Sequence, residues 1–61
     1  MNTVKRNPNE AKMVNLVDQV SNLSSDLNDQ LKDWDYYSAE KTMKEIQFRI
    51  NSIKSYLGEA N

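Results

Sequence analysis

Residues 36–57 read YYSAEKTMKEIQFRINSIKSYL, and their apolar positions decide the fold. Tyr36, Ala39, Met43, Ile46, Ile50, Ile53 and Leu57 follow one another at alternating steps of three and four. On an α-helix that spacing gathers the side chains into one straight stripe, the a/d pattern of a coiled coil or helical bundle. A stripe of this kind has to be buried, so the segment requires a partner.

The preceding segment offers one. Met13, Leu16, Val17, Val20, Leu23, Leu27, Leu31 and Trp34 form a second stripe, and Met13, Val20, Leu27 and Trp34 recur every seven residues. No glycine or proline interrupts it, so about 25 residues run as one helix, roughly 37 Å long. Asn7-Pro8-Asn9-Glu10 reads as its start. Asn7 is placed to cap, Pro8 suits the first helical position, and Glu10 stands at the reciprocal position of a capping box.

Asp33-Trp34-Asp35 reads as the turn, with Asp35 capping the second helix and Ser38 competing for that role. The turn lacks glycine, so it uses ordinary dihedrals or places strain on Trp34 or Asp35. Gly58, after Leu57, reads as the left-handed residue that closes the second helix. So short a link makes the helices antiparallel neighbours. The expectation is a single all-α domain: tail 1–6, helix 7–33, turn 34–35, helix 36–57 and tail 58–61. Trp34, Tyr36 and Tyr37 are expected to plug the open end of the hairpin, with a ligand-stacking patch as the alternative. Gln30, the polar residue on the inner row, reads either as the rim of the contact or as a register-setting group that needs a partner on the facing helix.

Composition narrows what such a hairpin does. At 61 residues a single core is marginal. With no cysteine and no histidine, disulfides and ordinary zinc or haem ligation are excluded, and association with a second copy is the expected remedy. The most economical form is a two-fold four-helix bundle. Net charge is −1, but between Glu10 and Asp35 six acids stand against two lysines, whereas between Tyr36 and Leu57 four bases stand against two acids. That contrast favours pairing of the two helices, by a few tenths of a kcal/mol per exposed contact. No apolar run is long enough to span a bilayer and the first residues are too polar for a signal peptide, so a cytoplasmic protein is expected.

Chemistry is poorly provided for. Without histidine the serines lack their usual activating base, and no glycine-rich loop is present to cradle phosphate. Asp26, Asp29 and Asp33 share one helical face, but a hard cation needs more converging oxygens than one face offers. The expectation is a protein that is not an enzyme and has no cofactor and no metal. Lys41, Lys44, Arg49 and Lys54 interleave with Glu40 and Glu45, which argues against strong nucleic-acid binding, although hairpin dimers of similar size bind paired RNA loops. Phe48 falls on the side of its helix opposite Met43 and Ile50, and makes the best candidate contact for a partner protein. Tyr56, Arg49 and Lys44 join it as candidate partner-binding residues.

The run Asp35-Tyr36-x-x-Ala39-x-x-x-Met43-x-x-Ile46-x-Phe48 resembles the last helix of the J-type co-chaperones of iron–sulfur cluster assembly, the HscB family. The resemblance implies a helical bundle that binds the cluster scaffold protein, with Phe48 in the contact patch. No J domain and no His-Pro-Asp motif is present, so stimulation of a chaperone ATPase is not implied. The sequence thus predicts a non-enzymatic protein–protein interaction module. A small adaptor or inhibitor of the kind mobile elements encode is favoured over an iron–sulfur scaffold-binding fragment, and that over an RNA-loop binder. Its partners are expected to be a second copy and another protein, with no membrane.

Overall fold

A computed structural model describes residues 7–59. Two helices, α1 (Glu10–Lys32) and α2 (Tyr36–Glu59), pack against each other as a hairpin. The expected tail 1–6 and the last two residues of the expected tail 58–61 lie outside the described residues.

Both outer helix ends differ from expectation. The first turn is capped by Asn9, whose side chain makes no capping bond, while its carbonyl accepts the N–H of Met13 at 2.9 Å. Asn7 acts one step earlier. Its Oδ1 accepts the N–H of Asn9 at 2.8 Å, its carbonyl accepts that of Glu10 at 3.0 Å, and Pro8 lies in the resulting turn. An asparagine that folds back on the backbone two residues ahead forms an Asx turn, and the helix starts after it. At the other end α2 runs through Gly58 to Glu59, and no described glycine has positive φ. Gly58 is therefore not a left-handed stop, because helical backbone bonds continue past it.

The turn is built as a Schellman motif. Trp34 N–H donates to the Leu31 carbonyl at 3.1 Å, and Asp35 N–H to the Gln30 carbonyl at 2.8 Å. The motif needs a left-handed residue at its apex, and Trp34 fills that place with φ 60°. Asp35 then caps α2: its carboxylate accepts the N–H of Ser38 at 3.2 Å. The aromatic plug does not form. Trp34 is 78 % exposed, and Tyr36 and Tyr37 also face outward, because the left-handed apex directs the tryptophan away from the helix contact.

The helices meet along a face rotated from the stripe read in α2. On α1 the half-buried row is Met13, Leu16, Val20, Leu23, Leu27 and Gln30. On α2, Ala39 and Thr42 are buried, Ile46, Arg49, Ile50, Ile53 and Tyr56 are half-buried, while Met43 and Leu57 stand largely exposed. Ala39, Ile46 and Ile53 form the centre of the contact. Thr42, Arg49 and Tyr56 flank it on one side, whereas Met43, Ile50 and Leu57 flank it on the other. The rotation has a polar cause. Thr42 Oγ1 donates to Gln30 Oε1 at 2.8 Å, so the inner-row glutamine has the cross-helix partner its register-setting role requires. Ala39 is the one buried apolar residue among those described.

Two outcomes test these assignments. Trp34→Gly, which removes the left-handed penalty at an exposed site, is expected to stabilise the hairpin by about 1 kcal/mol in urea denaturation; a loss of that size would show that the indole packs somewhere. A double-mutant cycle on Gln30→Leu and Thr42→Val should return a coupling of about 1 kcal/mol, and additive effects would mean the bond carries nothing.

Candidate functional site

The hairpin has two unlike edges and an outer face. Along the first edge, residues seven apart on α2 reach across to α1. Thr42 meets Gln30; Arg49 Nε donates to Gln19 Oε1 at 2.8 Å; the Lys12 ammonium lies 5.9 Å from the centre of the Tyr56 ring. Asn7 Nδ2 closes this edge by donating to the Tyr56 carbonyl at 3.1 Å. Arg49 is held further by its own helix, donating to the Glu45 carbonyl at 3.1 Å and pairing with the Glu45 carboxylate at 3.3 Å. The edge is polar and its members are occupied with one another.

The opposite edge is apolar. The row Tyr36, Met43, Ile50 and Leu57 of α2 runs beside Val17 and Leu31 of α1, and all but Ile50 are exposed. Each of these side chains belongs to a stripe that the sequence assigns to burial, and one neighbouring helix covers only its flank.

The outer face of α2 carries Phe48, 69 % exposed, with Lys44 one turn before it. Of the four candidate partner-binding residues, the structure brings these two together. It separates Arg49 and Tyr56, which turn into the polar edge because Gln19, Lys12 and Asn7 offer them partners there. Two further residues, Tyr37 and Lys41, share the outer face. Tyr37 is exposed and Lys41 holds its ammonium 5.4 Å from the Tyr37 ring centre. Tyr37, Lys41, Lys44 and Phe48 follow at steps of four, three and four, the same periodicity that marks the inner stripe. That signal was present but was masked by reading Tyr37 as part of a plug. Lys41 and Lys44 face away from α1, so the charge contrast between the helices is not carried by contacts from these two bases.

Among the described residues there is no pocket, and no three acidic side chains come together as a metal-binding group, Asp26, Asp29 and Asp33 included. No described helix is long and apolar enough to cross a membrane. Comparison of the chain with protein families, with characterised proteins and with solved structures gave no match.

The division between outer face and polar edge has a direct consequence for stability. Phe48→Ala should change the unfolding free energy by less than about 0.5 kcal/mol, as for surface positions generally. Arg49→Ala should lower it by about 1 kcal/mol, since it removes both the packed stem and the bond to Gln19. Equal effects in thermal melts would contradict the assignment of the two residues to different surfaces.

Proposed function

We propose that the chain is a non-enzymatic protein–protein interaction module, a small helical adaptor or inhibitor that works as a pair of hairpins. The observation that carries this reading is the half-covered apolar edge: residues of both stripes remain exposed after the helices have packed. A hairpin of this size with, among the described residues, a single small buried apolar residue has little internal stability to spare, and a second copy is the commonest source of more. Burying a half-exposed Leu, Met or Val contributes about 1 kcal/mol each, so Val17, Leu31, Met43 and Leu57 together outweigh the loss of any one polar contact.

The partner contact in this reading is the outer face of α2, where Phe48 stands among Lys41 and Lys44. An aromatic ring on a face that also carries two lysines suits a protein surface that combines an apolar pocket with acidic residues. The same exposed ring also supports a second reading, docking onto an iron–sulfur scaffold protein, in line with the resemblance of residues 35–48.

Sedimentation equilibrium combined with partner capture tests the proposal. The intact chain is expected to sediment as a dimer at low micromolar concentration. Phe48→Ala is expected to keep that mass and its helicity while losing captured partner by tenfold or more. A monomer throughout the concentration range, or capture unchanged by the substitution, would reject the corresponding half of the reading.

A further inference from the structure

We infer that the second copy seats on the apolar edge in an antiparallel, two-fold arrangement, with α2 packed on the partner's α2 and α1 on the partner's α1. This rests on the self-association proposed above and specifies its surface and orientation.

Leu31, Met43, Leu57, Val17 and Tyr36 are between 45 % and 64 % exposed. Five large side chains exposed to that degree present on the order of 500 Å² of apolar surface, the upper range of what a monomer leaves in water. With the polar rim added, this approaches the roughly 800 Å² per partner of a standard stable interface. The polar edge, whose side chains already bond to one another, offers nothing comparable.

The edge is also complementary to itself. On α2 the row Tyr36, Met43, Ile50, Leu57 is flanked on its outer side by Glu40, Gln47 and Lys54, all exposed. Turning α2 end over end about Gln47 lays Met43 within one residue of the partner helix's Ile50 position and Tyr36 within one residue of its Leu57 position. The same rotation lays each Glu40 beside the Lys54 position of the other copy. Two opposite-charge contacts therefore form by symmetry, and no like charges meet.

On α1, Val17 and Leu31 stand at equal distances from Ser24, so the same rotation about Ser24 brings apolar against apolar and leaves a short serine at the crossing. Both centres have to lie on one axis. The bonds Gln19–Arg49 and Gln30–Thr42 fix the hairpin's register, and interpolation between them puts Ser24 level with Ile46, about one residue from Gln47. One two-fold axis serves both helices. The parallel arrangement would instead set Glu40 over the second half of the partner's α1, where Asp26, Asp29 and Asp33 concentrate.

The chain has no cysteine, so introduced thiols report contacts unambiguously. The experiment begins with the mass of the unmodified chain. A monomer at every concentration would end both this inference and the self-association it rests on. Given a dimer, Gln47→Cys is expected to link to itself on mild oxidation, whereas Gln19→Cys, on the polar edge, is not. The reverse pattern in a chain that still dimerises would overturn the face and leave self-association standing. Linkage only in a mixture of Ser24→Cys and Gln47→Cys chains would overturn the antiparallel orientation, since the parallel arrangement sets those positions opposite each other. Lys54→Glu should weaken dimerisation about tenfold and Glu40→Lys in the same chain should restore it; a double variant as weak as the single one would reject the charge pairing. All five positions are exposed, so the variants are expected to keep the helicity of the parent.

Discussion

Two helices cover each other along a single line of contact, and both helices of this chain carry apolar stripes wider than one line. That mismatch governs the rest of the structure. A narrow a/d row is hidden by one neighbour, as in a two-stranded coiled coil, whereas a broader face needs neighbours on two sides. Here Leu16, Val20, Leu23 and Leu27 meet Ala39, Ile46 and Ile53 across the hairpin, and the remaining apolar residues are pushed to its flank.

Which flank they occupy is settled by polar chemistry. Thr42, Arg49 and Tyr56 repeat every seven residues on α2, and Gln30, Gln19 and Lys12 stand opposite them on α1. Drawing these groups together satisfies a nearly buried hydroxyl and anchors an arginine whose stem packs on the contact. It also rotates α2 so that Met43 and Leu57 leave the centre of the interface. The hydrogen bonds thus do more than add stability. They make one edge polar and self-contained, and leave the other apolar and uncovered.

Much of this was legible in the residues. The stripes gave two helices, the brevity of Asp33-Trp34-Asp35 gave the hairpin, and Asp35 caps α2 as its position implies. Gln30 showed that a partner was needed without saying which, since Thr42 belongs to no apolar row. The rotation of α2 was not legible for the same reason: counting apolar positions gives Met43 full weight and Thr42 none, although Thr42, bonded to Gln30, is the more buried of the two. Gly58 misled because glycine ends helices often, but it also continues them where nothing downstream forces a stop. At the turn the sequence left strain at Trp34 or Asp35 open, and the Schellman hydrogen bonds place it on Trp34. Of the candidate site, the outward position of Phe48 was legible from its place opposite the stripe, and Lys44 lies on the same face. Arg49 and Tyr56 lie instead on the polar edge because their charge and ring meet partners on α1, which a reading of one helix alone does not register.

The account stands on the claim that a lone hairpin leaves its apolar edge unsatisfied. The direct measurement is the thermal midpoint of unfolding, followed by circular dichroism as protein concentration is raised over two orders of magnitude. If folding is completed by a second copy, mass action requires the midpoint to climb by several degrees across that range. A midpoint that stays fixed would mean that the hairpin is stable with its edge in water, and would contradict the account.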